Sequence, residues 1–111
     1  MSDETTQQTI ARQVAENPII LYMKGSPDQP ECGFSQRAAQ ALAGCGQAFA
    51  YVDVLQDEQI REGIKAFGDW PTIPQLYING ELVGGCDIIM EMFDSGELQQ
   101  LVDSAAAETG S

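Results

Sequence analysis

A chain of 111 residues, 43% hydrophobic and 20% charged, has the size and composition of one globular domain built around a single core. Seventeen acids against five bases leave a net charge of −12, which argues against nucleic acid and anionic membrane, since both are bound mainly by neutralising phosphates. With no histidine, imidazole acid–base catalysis, Cys-His nucleophile pairs and histidine metal sites are excluded together, and three scattered cysteines (Cys32, Cys45, Cys86) do not form a secreted disulfide framework.

Asp3 to Ala15 is expected to form a helix with Ile10 and Val14 on its apolar face, stopped by Asn17-Pro18. Ile19-Ile20-Leu21-Tyr22-Met23 is a short unbroken apolar run, the pattern of a central strand buried on both faces. Lys24 to Glu31, with Gly25, Pro27 and Pro30, reads as loop. Ser35 to Ala43 has helical composition and stops at Gly44; Phe49 to Val54 reads as a second strand and Asp57 to Phe67 as a helix presenting Ile60, Ile64 and Phe67. After a loop over Gly68 to Pro74 come a strand Gln75–Ile78, the hairpin signal Asn79-Gly80 and a strand Glu81–Val83. Asp87 to Phe93 and Ser95 to about Ala105 are closing helices, with Ser95 as the expected N-cap of the second and fraying expected at Met1–Thr5 and 105–111. The order α-β-α-β-α-β-β-α-α requires a parallel, right-handed βαβ unit followed by an antiparallel hairpin. One mixed four-stranded sheet flanked by helices satisfies both, a thioredoxin-like α/β architecture. No run approaches the ~18 apolar residues of a membrane span and the polar start Met1–Gln8 does not read as a signal peptide, so a cytoplasmic protein is expected.

Three constellations carry chemistry. The first is Cys32-Gly33-Phe34-Ser35. A thiol at the start of a helix is favoured as thiolate by the helix dipole and free N–H groups, and Lys24 on the loop leaving the first strand can add a positive charge. Ser35 stands where a dithiol redox protein carries its resolving cysteine; it cannot close a disulfide, so the motif keeps the nucleophile or metal ligand and drops the resolver. Gly33 lets a ligand approach the backbone, and Phe34 either walls the site or joins the core. The second is Thr72-Ile73-Pro74, where a cis proline before a strand would turn the Ile73 main chain outward toward an extended, peptide-like ligand. Trp70 either covers that ligand or fills a core gap. The third is Gly84-Gly85-Cys86-Asp87, which places free N–H groups at a helix start; Asp87 either caps that helix or also takes an amino group. Cys86 and Cys45 read as packed residues rather than second active thiols.

With Met23-Lys24-Gly25-Ser26-Pro27 before them and Trp70-Pro71-Thr72-Ile73-Pro74-Gln75-Leu76-Tyr77 between, these motifs resemble monothiol glutaredoxins of the CGFS class in the short, single-domain form of bacteria and organelles. The resemblance covers roughly residues 5–105 and implies a single glutaredoxin domain over 1–111 with about 5–105 as its ordered part. It implies glutathione lying across the edge formed by these loops: Lys24 and Arg61 on its glycine carboxylate, Ile73 pairing with its backbone, and Cys86 and Asp87 at its γ-glutamyl end. It further implies a [2Fe–2S] cluster, which needs four ligands, usually thiolates. Cys32 and a bound glutathione supply two, so a homodimer around the cluster supplies all of them.

The functional expectation is therefore an iron–sulfur scaffold or carrier serving apo iron–sulfur proteins, in company with BolA-type partners, with neither nucleic acid nor membrane bound. The alternative is a glutathione-dependent thiol–disulfide oxidoreductase using Cys32 alone, where a second glutathione replaces the resolving thiol. The resemblance implies that such activity is weak, which leans the reading away from an enzyme. A third is a redox-sensing module pairing Cys32 with Cys86 or Cys45.

Overall fold

The computed structural model describes residues 4–109. The first helix, α1 (Thr6–Glu16), begins after Thr5 rather than at Asp3, which lies outside the described residues. Thr5 ends the extended chain with a capping box: its hydroxyl accepts from Gln8 N at 3.1 Å, and Gln8 Oε1 accepts from Thr5 N at 2.8 Å. Ile10 and Val14 bury one face, and Asn17, held extended by the following proline, ends the helix. Strand β1 (Ile19–Met23) is buried throughout, as its unbroken apolar run requires.

Helix α2 (Gly33–Gly44) takes Cys32 as its N-cap and so starts two residues before the expected Ser35. Strand β2 (Ala50–Asp53) stops short of Val54, which enters a 3-10 turn because the Asp53 carboxylate captures Leu55 N. Helix α3 (Glu58–Gly68) is capped by Asp57, whose Oδ1 accepts from Gln59 N at 2.9 Å and Ile60 N at 3.3 Å. Strands β3 (Gln75–Ile78) and β4 (Glu81–Gly84) are joined by Asn79-Gly80, both left-handed, as a two-residue hairpin turn needs.

Two corrections concern the last helices. Helix α4 (Cys86–Ser95) is entered through Gly85, so Asp87 lies in its first turn and is not its cap. Ser95 closes α4 instead of opening α5 (Glu97–Thr109), because Gly96 adopts a left-handed φ of 88° and breaks the chain there. The Ser95 hydroxyl still accepts from Glu97 N at 3.3 Å. Helix α5 also continues past Ala105, so the fraying expected from there does not extend to the described residues 105–109; the remainder of both ends lies outside them.

The sheet order is β2-β1-β3-β4, with β1 parallel to β2 and antiparallel to β3, and β3 antiparallel to β4. Strand alternation divides β1 between two cores. Ile20 and Tyr22 face α1 and α3, with Val54, Ile60 and Ile64. Ile19, Leu21 and Met23 face the layer of α2, α4 and α5, with Leu42, Ile89, Leu98 and Val102. The α1–α3 layer is tight: a Cβ on Gly63 would stand 2.6 Å from Thr6 Cγ2, and Gln7 Nε2 donates to Gly63 O at 2.9 Å. The other layer carries the starts of α2 and α4.

Candidate functional site

Cys32 stands at the exit of the loop after β1. An antiparallel bridge between Gly25 and Pro30 closes that loop, and Glu31 N donates to Lys24 O at 3.0 Å. The half-buried thiol occupies the N-cap place, but no side-chain capping hydrogen bond is formed there. A neutral thiol is a weak acceptor, whereas a thiolate in the same place draws on the first N–H groups of the helix. The Ser35 N–H lowers the Cys32 pKa most; burial opposes it, and the Phe34 N–H, the Lys24 charge and the Ser35 hydroxyl lower it further. Ser35 itself is fully buried and its Oγ accepts from Lys24 N at 3.0 Å, tying the end of β1 to the first turn of α2.

The cleft beside the thiol, about 220 Å³, is bounded by Phe34, Trp70, Thr72, Ile73, Cys86 and Asp87, among others. Phe34 is 56% exposed and therefore walls the cleft rather than entering the core. Trp70 also lines it, with its indole Nε1 buried and unpartnered among the described residues. Gly85 makes that packing possible: a Cβ there would stand 3.1 Å from Trp70 Nε1 and 3.3 Å from Pro74 O. The Ile73–Pro74 peptide is cis, and the Ile73 main chain makes no hydrogen bond among the described residues, so its N–H and C=O remain available. Cys86, buried, opens α4. Burial raises its pKa most, followed by the Asp87 charge and then the Cys32 charge, while Arg37 lowers it.

The structure thus gathers Ile73, Cys86 and Asp87 around one cleft, with Cys32 electrostatically coupled to Cys86 and Lys24 to Cys32. Arg61 is not among the residues lining it; it stands on the first turn of α3, half-buried, with Nε buried and unpartnered among the described residues. Cys45 is separated from Cys32 by the whole of α2, a rise of about 18 Å at ~1.5 Å per residue. A disulfide between them is therefore excluded in this fold, since its Cα atoms must lie within ~7 Å. Burial and then the Asp103 charge raise the Cys45 pKa, so it is an inert packed thiol.

Sequence reasoning missed two contributors. Gln75, fully buried, donates through Nε2 to Trp70 O at 3.0 Å and Thr72 O at 3.1 Å, and accepts from Tyr77 OH at 2.8 Å. It holds the cis-proline loop in place, and a lone amide inside a buried strand was the available signal. Burial pushes the Tyr77 phenol up to about 12, which keeps it a donor to Gln75. Arg37 is the second. Arg12 and Lys65 are ion-paired with Glu4, Glu16 and Glu62, whereas Lys24, Arg37 and Arg61 have no ion pair among the described residues. In so acidic a chain, three unpaired cations are an arrangement that favours an anionic ligand.

Among the described residues no three histidine, cysteine, aspartate or glutamate side chains converge as a metal site, and no helix is long and apolar enough to cross a membrane. The sheet order, the cis proline and the thiol at the start of α2 define the thioredoxin-like class. Within it, the glutaredoxin family model matches residues 19–83, and the chain belongs to the glutaredoxin family. It is 61% identical over 104 residues to glutaredoxin 4 of Escherichia coli strain K12, covering 94% of this chain and 90% of that protein. The solution structure of reduced poplar apo GrxS14 is similar at a TM-score of 0.78 and 44% identity, over 91% of this chain and 93% of that one. A buckwheat glutaredoxin–glutathione complex has the same fold at a TM-score of 0.80 and 23% identity, over 92% and 91% of the two chains.

Proposed function

We propose that this chain is a monothiol glutaredoxin of the CGFS class that carries a [2Fe–2S] cluster between proteins. One observation carries the reading: a single polarised thiol, beside a cleft suited to a small peptide, in a chain that gathers no metal-binding set of its own among the described residues. A cluster needs four ligands, so those beyond Cys32 must come from glutathione and a second copy. The donor set fits, because a lowered thiol pKa favours the thiolate, which is the ligating form. Transfer to apo iron–sulfur proteins suits a cargo half of whose ligands are held non-covalently, and complexes with BolA-type proteins are what the resemblance to CGFS glutaredoxins implies.

Glutathione is the ligand this cleft supports best. Lys24 and Arg61 take its glycine carboxylate. The open main chain of Ile73 pairs with its cysteinyl peptide, and the first turn of α4, with Cys86 N–H and the Asp87 carboxylate, receives the γ-glutamyl end. The buckwheat relative, a glutaredoxin–glutathione complex, supports the choice of ligand. A reducing cytoplasm is the proposed setting, where three free thiols persist. Anaerobic reconstitution with iron, sulfide and glutathione is expected to give a coloured homodimer; a colourless monomer, or full cluster uptake by Cys32→Ser, overturns the reading.

The lowered Cys32 pKa also favours a second reading, glutathione-dependent reduction of mixed disulfides. Cys32 thiolate attacks the glutathione sulfur of a glutathionylated protein and releases the protein thiolate. A second glutathione thiolate then attacks Cys32–S–SG, leaving oxidised glutathione and free Cys32. Turnover of a glutathionylated substrate at the rate of a dithiol glutaredoxin would promote this activity over cluster carriage.

A further inference from the structure

At the end of β1 the chain turns a corner at Lys24–Gly25, and two distant side chains grip its N–H groups. Lys24 N donates to Ser35 Oγ at 3.0 Å and Gly25 N donates to Asp53 Oδ1 at 2.9 Å. The corner requires glycine: φ is +90°, and a Cβ would lie 2.5 Å from Gln29 O. The same Asp53 oxygen accepts from Leu55 N at 3.0 Å, and Oδ2 accepts from Gln56 Nε2 at 3.4 Å. From there the chain of contacts continues into α3, because Asp57 caps that helix and its carbonyl accepts from Arg61 N at 3.0 Å.

We propose that Asp53 is a positioning residue for the anionic-ligand site. By holding Gly25 N–H and Leu55 N–H on one carboxylate, it sets Lys24 against the turn that carries Arg61. The inference rests on the proposed role of those two cations as holders of the glutathione glycine carboxylate. Asp53 makes no ion pair with Lys24 among the described residues, so the carboxylate acts through main-chain N–H groups and leaves the ammonium for the ligand. Its negative charge alone opposes an anionic ligand. Charge and geometry therefore predict opposite outcomes when the carboxylate is removed.

The test is titration of the 15N-labelled full chain with S-methylglutathione, which cannot form a disulfide. Asp53→Ala leaves both N–H groups without their acceptor, and affinity is expected to fall about tenfold. Asp53→Asn keeps an acceptor oxygen for both, and the Gln56 amide can turn to meet the new NH2; affinity is expected to stay within about twofold of wild type or to tighten. Binding by D53A as tight as wild type or tighter overturns the proposal, as does a D53N defect equal to that of D53A. Should D53A fail to fold, the wild-type chain decides by hydrogen exchange: protected Gly25 and Leu55 amides together with full D53N binding support the clamp, and rapid exchange at either overturns it. A wild-type chain that does not bind the probe while both amides are protected removes the ligand reading, and with it the claim that Asp53 serves a ligand.

Discussion

Helices α1 and α3 begin with a side chain bonded to their first N–H groups, whereas α2 and α4 begin with none. Thr5 and Asp57 accept from the opening turns of α1 and α3, in the layer that packs on Ile20 and Tyr22. Cys32 and Gly85 occupy the same place on α2 and α4 without a side-chain hydrogen bond, and the cleft is lined by Gly85 itself and by Phe34 in the first turn of α2. A satisfied N-terminus stabilises its helix by roughly 0.5–2 kcal/mol. An unsatisfied one gives up that stability and keeps its partial positive charge for a thiolate or a bound carboxylate. One layer is thus finished by its own sequence, whereas the other leaves two helix N-termini open to a thiolate or a bound anion.

The largest effect should come from completing the open cap of α2. Cys32→Ser is expected to abolish cluster uptake and thiol reactivity at the site while raising stability by up to about 1 kcal/mol, because serine is the better N-cap. Reconstitution absorbance and thermal unfolding of the same sample check both halves; a destabilised variant would break the comparison. Next comes the order in which the thiols ionise. Cys32 is held below the ordinary thiol value, whereas burial raises Cys45 and Cys86. Iodoacetamide at neutral pH should therefore modify Cys32 at least about tenfold faster than the others, as read by mass spectrometry.

The signs of the linked stability also differ. The Cys32 contribution is complete above the pKa of the unfolded thiol and is lost as the pH falls through its lower folded value. Those of Cys45 and Cys86 are complete below the unfolded value and are lost as the pH rises through their higher folded ones. A smaller effect is expected in the capped layer. Asp57→Ala should lose about 1 kcal/mol in denaturant unfolding without moving the pH profile of Cys32 alkylation. The smallest is Arg12→Ala, which breaks exposed pairs to Glu4 and Glu16 and should leave the melting temperature unchanged within error.

Much of this was legible in the chain. The apolar run Ile19–Met23, the Asn79-Gly80 turn and the helical spacing of Ile60 and Ile64 are local patterns, and each produced the expected element. Cys32 at a helix start and Pro74 as a cis candidate were read from the chain, whereas a shared edge for Ile73, Cys86 and Asp87 was expected only through the family resemblance. The misreadings fell at helix ends. There Asp87 and Ser95 looked like caps, but the backbone entered α4 through Gly85 and broke at Gly96. Several residue types can stand at a helix start, and the choice depends on the direction from which the preceding strand delivers the chain.

The sequence by itself determined the order of elements, the lone thiol with serine three residues on, and the scarcity of bases in an acidic chain, because period, composition and spacing are properties of the chain alone. Tertiary structure decided which bases stay unpaired among the described residues, that Gln75 holds the cis-proline loop, and that Asp53 reaches Gly25 across 28 positions. Those facts depend on distances between strands and helices, and the distances exist only after β1 is placed between β2 and β3 and both of its faces are covered.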